Sequence, residues 1–239
     1  MSNGPDSLAA LPGFRLSELA LRRLQQYRDA LAGAPFNLTS LRDREPQALE
    51  RRHLAESLAF GQLLARRGLL TPGVRLLDLG AGAGLPGIPL KIAWPDIDLT
   101  LLESVGKKCR FLEDVVRRLG LEAKVVEARA EDAGRDPRYR EAFDLVVARA
   151  VAPLPVLLEY SLPLLRVGGQ LAAIKGSAAL REVEDSGAAL AALGGRLVDI
   201  DVFRAPGGME LRAVLVGKDF PTPERYPRRA GIPAKRPIQ

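Results

Sequence analysis

The stretch VRLLDLGAGAGLPGIPLKIAW (residues 74–94) constrains this chain more than any other. An apolar run, 75–79, ends in glycine, and Gly82, Gly84 and Gly87 follow in the spacing G-x-G-x-x-G. Glycines at the end of a first strand let the backbone turn tightly and let a ligand approach closely. The same residues also read D-x-G-x-G-x-G, from Asp78 through Gly80 and Gly82 to Gly84. That second pattern aims a carboxylate into the loop, where it repels a pyrophosphate and attracts a cation. Pro86 stands where the next helix begins and lacks an N–H that a phosphate would use. The loop therefore suits S-adenosylmethionine, with its α-ammonium and sulfonium, better than a nicotinamide dinucleotide.

From Val74 onward, short apolar runs alternate with helical patterns. The expected strands are 75–79, 99–103, 124–127, 144–148, 170–174, 196–202 and 212–216. Strands alternating with helices predict a parallel sheet wound on both faces. The last two strands have only RAPGGME between them and are expected to pair as a hairpin. The fold class is thus α/β: a Rossmann-like class I S-adenosylmethionine-dependent methyltransferase, with a seven-stranded, mostly parallel sheet. Residues 14–70 read as helices, with Leu16, Leu19, Ala20, Leu24 and Tyr27 at helical spacing in the first. The division is a helical N-terminal extension (1–72), a methyltransferase domain (73–218) and a basic, proline-rich tail (219–239).

Composition mainly excludes. The single cysteine, Cys109, permits neither an internal disulfide nor a cysteine-cluster metal site, and it reads as a packed small hydrophobe. No apolar run approaches the roughly 20 residues that span a bilayer, and the N-terminus lacks the pattern of a secretion signal. A cytoplasmic monomer without a metal or a membrane partner is expected. Of the net charge of +6, much sits at the ends of the chain. The last 19 residues carry Arg225, Arg228, Arg229, Lys235 and Arg236 against Glu224 alone. Basic flanks on a near-neutral body suit an anionic partner, though a merely soluble basic surface reads equally well.

Two further acids follow the loop in the order this fold requires. Glu103 ends the second strand, where a carboxylate can accept the ribose hydroxyls of an adenosine cofactor. Ala130 and Glu131 follow the third strand, where the adenine edge would lie. A solvated loop acid is the plain alternative for each. After strand four, FDLVVARAVAPL offers neither a cysteine nucleophile nor an (Asp/Asn/Ser)-Pro-Pro-aromatic motif. Arg149 stands there instead, with Lys175 at the end of strand five. Cations are poor general bases at neutral pH. Guanine N7 fits such a site, because it has an in-plane lone pair and no hydrogen to lose. Placing it in line with the methyl–sulfur bond is a task of orientation. Surface pairing is the plain alternative for Arg149, and His53, the only histidine, reads first as a structural or surface residue.

At this point the chain resembles a known family, the bacterial small-subunit ribosomal RNA guanine-N7 methyltransferases, also called glucose-inhibited division protein B. The matching segments are FNLTSLRD (36–43), RHLAESL (52–58), LLDLGAGAGLPGIPLKI (76–92), LLESVGKKCRFL (101–112), ARAE (128–131), VVARAVAPL (146–154), IKG (174–176) and YPRRAGIPAKRPI (226–238). The resemblance implies that Gly80 and Leu85 line the cofactor loop, with Glu103 and Ser104 near the ribose. It implies Ala130 and Glu131 at the adenine, and Arg149 beside both methyl donor and target base. It raises Asn37, His53, Ser57 and Lys175 to candidates for RNA or site contacts, alongside Arg228, Arg229, Lys235 and Arg236 of the tail. The implied acceptor is one guanine of 16S ribosomal RNA, free or in the small subunit, near the decoding centre. Glu56 stands where the family often has Asp, Ala81 where it often has Thr, and Ile174 where Met commonly precedes Lys-Gly. An Arg-His pair common near the final strand is replaced around MELRAV. The alternatives are an NAD(P)-dependent reductase and a catalytically silent RNA-binding module on the same fold.

Overall fold

The computed structural model describes residues 15–35, 45–204 and 210–239. Asn37 and the segment around it lie outside the described residues. The sheet has seven strands: β1 (Arg75–Leu79), β2 (Asp98–Glu103), β3 (Ala123–Glu127), β4 (Phe143–Arg149), β5 (Leu165–Lys175), β6 (Gly195–Arg204) and β7 (Glu210–Lys218). Their spatial order is β3-β2-β1-β4-β5-β7-β6. The pairs among β1 to β5 are parallel, and β7 runs antiparallel between β5 and β6. Each expected strand is present, extended by a residue or more at most ends. The expected hairpin is seen as the β6–β7 ladder, from Gly195 opposite Lys218 to Arg204 opposite Glu210.

The central strands read as apolar runs because both their faces are covered. Along β1 the side chains alternate: Leu76 joins one core, and Leu77 and Leu79 join the other. The first core packs the sheet against α1 (Glu18–Gly33), α3 (Ala55–Arg66), α4 (Gly87–Ala93) and α5 (Gly106–Arg118). The second packs it against α7 (Leu154–Ser161) and α9 (Gly187–Leu193). Between these elements lie the shorter α6 (Ala130–Ala133) and α8 (Ala179–Glu184). The chain reaches α3 through α2 (Pro46–Leu49) and one π-helical turn, Glu50–Leu54.

Helix α1 starts at Ser17, whose Oγ accepts the Ala20 N–H at 3.2 Å and so caps a free donor. Its inward stripe is Ala20, Leu24, Tyr27 and Leu31, all buried in the same core as β1 and α4. Leu19, expected on that stripe, is instead half exposed, because it sits one residue off the i, i+4 row that meets the sheet. Among the described residues no helix is long and apolar enough to cross a membrane.

The tail is irregular apart from α10 (Ile232–Lys235), yet it is firmly held. Arg140 donates to the carbonyls of Thr222 and Tyr226, and the Thr222 hydroxyl donates to the Leu193 carbonyl. Arg228 forks onto the buried Glu159 of α7, with Nη2–Oε2 at 2.6 Å, and its backbone N–H donates to the same carboxylate. Removing one partner of a buried ion pair leaves the other charge unmet. Arg228→Ala is therefore expected to cost about 3 kcal/mol and to lower Tm by roughly 10 °C in a thermal melt. Replacing Arg228 and Glu159 together by Met is expected to recover much of that loss.

Candidate active site

Parallel strands present their C-terminal ends to one crevice, and the strand order reverses between β1 and β4. Most of the site residues named above gather at these ends. Asp78 lies near the end of β1 and is 1% exposed. Its Oδ2 accepts the Gly87 N–H at 2.8 Å, at the start of α4. Gly87 has to be glycine here, because a Cβ would sit 2.6 Å from that same oxygen. Asp78 Oδ1 is buried with no hydrogen-bond partner. Burial pushes the carboxyl up to about 7, with Glu103 adding to the rise and the Gly87 N–H and Arg149 opposing it.

The glycine loop between Asp78 and Gly87 is held by two side chains from other elements. Glu103 Oε2 accepts the Gly82 N–H at 3.0 Å, while its Oε1 accepts those of Ser104 and Val105 at 2.8 and 2.9 Å. The Tyr27 hydroxyl, reaching in from α1, donates to the Ala83 carbonyl at 2.6 Å and is fully buried. Gly84 turns at φ +96°, and a Cβ there would meet Ile88 Cδ1 at 2.4 Å and the Tyr27 hydroxyl at 3.0 Å. Gly80 opens the turn, and Leu85 closes it as a buried side chain. Ser104 is exposed, and Ala130 is half buried at the start of α6. Glu131 is buried and accepts the Gly231 N–H at 2.8 Å, so its carboxylate ties down the tail.

Arg149 ends β4. Its Nη2 donates to Glu56 Oε2 at 2.8 Å and meets His53 Nδ1 at 2.9 Å, while Nη1 is buried without a partner. Burial raises the Glu56 carboxyl above its ordinary range, against the pull of Arg149 and Arg52. Beyond Arg149 lies a cleft of about 400 Å³ lined by Ala152, Pro153, Ile174, Lys175 and Glu182. Lys175 is committed within it: Nζ donates to the Ala152 carbonyl at 2.6 Å and to Glu182 at 2.7 Å. Glu182 also accepts the Leu154 N–H, so this pair braces the loop after β4. Cys109 is buried, and its thiol donates to the Glu103 carbonyl. In the tail, Arg228 is spent on Glu159, whereas Arg229, Lys235 and Arg236 are exposed.

Sequence reasoning did not single out Tyr27, Glu182 or Glu159. Tyr27 reads as one more apolar position on a helix, and nothing local marks the other two. Glu56 was visible only as a departure from a family pattern.

The model of the rRNA small subunit methyltransferase G family, GidB, matches residues 20–210. The chain belongs to this family. A ribosomal RNA small subunit methyltransferase G of Desulfitobacterium hafniense is 46% identical over 227 residues, covering 93% of this chain and 91% of the relative. One of Roseiflexus castenholzii is 46% identical over 230 residues, covering 95% of each. Among solved structures, a branched-chain polyamine synthase of Thermus thermophilus aligns with TM-score 0.59 at 17% identity, over 87% of this chain and 64% of that one. A putative sarcosine dimethylglycine methyltransferase of Galdieria sulphuraria aligns with TM-score 0.53 at 14% identity, over 73% and 87%. At such identities these two speak for the fold alone.

Membership of this family makes the chain an S-adenosylmethionine-dependent methyltransferase and gives the reductase alternative no support. The residues present fit that cofactor. A buried carboxylate oxygen without a partner, beside a loop with no room for a side chain at Gly84 or Gly87, suits a cationic group. Binding of S-adenosylhomocysteine, which keeps the α-ammonium, is expected to tighten about tenfold between pH 6 and pH 8 as Asp78 ionises. Asp78→Asn is expected to bind weakly with a flat profile by calorimetry. The ligand-free protein carries the opposite slope. A carboxyl raised from 3.8 to about 7 stabilises the fold below pH 4, and that contribution is lost as pH climbs to 7.

Proposed function

We propose that this chain transfers a methyl group to N7 of one guanine in small-subunit ribosomal RNA. The observation that carries the reading is the acceptor side of the crevice. A guanidinium, not a base, stands at the end of β4, and one of its nitrogens is buried without a partner. A reaction that must remove a proton from its acceptor would be poorly served by such a group. Guanine N7 needs only its lone pair. The N7–carbon bond forms as the carbon–sulfur bond breaks, and no proton leaves.

S-adenosylmethionine, when bound, supplies the electrophilic methyl on its sulfonium. In this reading Asp78 receives the α-ammonium, and the loop from Gly80 to Leu85 lies against the cofactor. Glu103 and Ser104 lie near the ribose, and Ala130 near the adenine. Glu103 already accepts three backbone N–H groups, so it has little acceptor capacity left and also stiffens the loop. Arg149 grips O6 or a phosphate of the acceptor and leaves N7 open. Donation to O6 and N7 together, as in groove readout, would block the reaction. Lys175, the other cation that could grip the acceptor, is spent on Glu182 and the Ala152 carbonyl, so it shapes the cleft and leaves the grip to Arg149. The exposed cations Arg229, Lys235 and Arg236 are the candidates for RNA contact, with Asn37 kept as a candidate from the sequence pattern alone. The reading takes the protein as a cytoplasmic monomer that needs no metal.

The test is methyl transfer to small-subunit RNA and particles lacking the modification, followed by reduction and aniline cleavage, which breaks the strand at N7-methylguanine. One break is expected; label incorporated without a break overturns the N7 assignment. Arg149→Ala is expected to bind S-adenosylhomocysteine within a few-fold of the parent and to lose about 100-fold or more in turnover. Unchanged turnover would remove Arg149 from the reaction. Replacing Arg229, Lys235 and Arg236 together by Ala is expected to flatten the slope of log K against log salt by about 2. Filter binding over a salt series would measure it.

A further inference from the structure

Arg149 is held in an unequal way. Its Nη2 makes two contacts, to Glu56 Oε2 at 2.8 Å and His53 Nδ1 at 2.9 Å, while Nη1 is buried and bonded to nothing. Arginine has donors only, so Nδ1 must be the acceptor. The contact is thus a hydrogen bond in the tautomer that carries its proton on Nε2. Glu56 is 7% exposed and supplies the compensating charge. Both partners come from the N-terminal helices, not from the sheet that carries Arg149.

The backbone there is unusual. Residues Glu50–Leu54 form a π-helical turn between α2 and α3, and His53 lies within it. Such turns are rare, are found often at functional sites, and persist only where their surroundings hold them. Here Arg28 of α1 pairs with Glu50 at 3.4 Å at the start of the turn, and the Ser57 hydroxyl donates to the His53 carbonyl at 2.7 Å just after it. The turn sets His53 three residues before Glu56, on the same helical face, and both meet one guanidinium nitrogen.

We propose that His53 and Glu56 are positioning residues for Arg149: they bind Nη2 and so fix the guanidinium beside the cleft that would receive the reacting base. The inference rests on the proposed role of Arg149 in N7 methylation and deepens it. His53 then acts through Arg149 and is not itself a contact to RNA. The helical extension completes the acceptor site and is more than a handle for the substrate. Both polar partners are needed for different reasons. Glu56 neutralises a buried cation, and His53 adds a second point that fixes the plane of the guanidinium.

The experiment compares parent, Glu56→Gln, Glu56→Asp and His53→Ala in steady-state methylation of small-subunit particles, with the N7 break of the parent confirmed first. If the parent gives no break, the functional reading fails, whatever the variants do. Given a break, Glu56→Gln is expected to lower kcat by about 100-fold, the scale of a reacting group misplaced by an ångström. KM for particles and affinity for S-adenosylhomocysteine are expected to stay within about threefold on the same reasoning. Glu56→Asp is expected to recover at least about tenfold of the kcat loss, and His53→Ala to lose about tenfold. A raised KM for particles with unchanged kcat in His53→Ala would overturn the proposal and make His53 an RNA contact. An Asp variant no better than Gln would overturn the role of Glu56. If Glu56→Gln melts too low to assay, His53→Ala decides by the same division between kcat and KM.

Discussion

A carboxylate buried at the end of β1 governs the geometry of the donor site. Asp78 is 1% exposed, has one hydrogen bond, and leaves one oxygen unmet. Its single bond, to the Gly87 N–H, fixes the start of α4 against β1. That start in turn fixes the glycine loop, because the loop must run from one to the other in eight residues. An unpaired buried acid is costly, and this fold reduces the cost only partly, by shifting the carboxyl to about 7. In the proposed reading, the remaining compensation comes from the α-ammonium of the cofactor. In that reading, stability and cofactor binding oppose one another at this residue.

Three elements distant in sequence converge to make that arrangement rigid. Tyr27 from α1 and Glu103 from β2 hold the loop at adjacent residues, Ala83 and Gly82. Arg149 from β4 is held in turn by the helices that follow α1. Donor and acceptor sides thus share a support, the N-terminal helical layer. The tail does the corresponding work on the opposite face. It is stitched to α7 through Glu159 and to α6 through Glu131, so the tail is a structural element as well as a basic one.

Much of this was legible in the chain. The alternation of apolar runs and helical patterns yielded seven strands and their hairpin, because strands covered on both faces leave an unmistakable apolar signature. Asp78, Glu103 and Arg149 were recognisable because each ends a strand, and strand ends are where this fold places its chemistry. Lys175 was recognisable for the same reason, yet its partner Glu182 was not. Ion pairing depends on how α8 packs, and no spacing rule connects the two residues. Glu131 shows the same limit: its position was read correctly as the turn after β3, but its carboxylate bonds a backbone amide one hundred residues away.

The sequence by itself determined the order and type of the elements, the glycine loop and its acid, and the charge of the tail. These are local properties, set by side-chain periodicity, glycine torsions and composition. Only the tertiary structure decided which cations are free and which are spent. Arg228 and Lys175 are neutralised by partners, Arg149 keeps one nitrogen unmet, and Arg229, Lys235 and Arg236 stand in solvent. The reason is physical. A charge interacts with whatever lies within a few ångströms, and for a folded chain those neighbours come from packing, not from sequence distance.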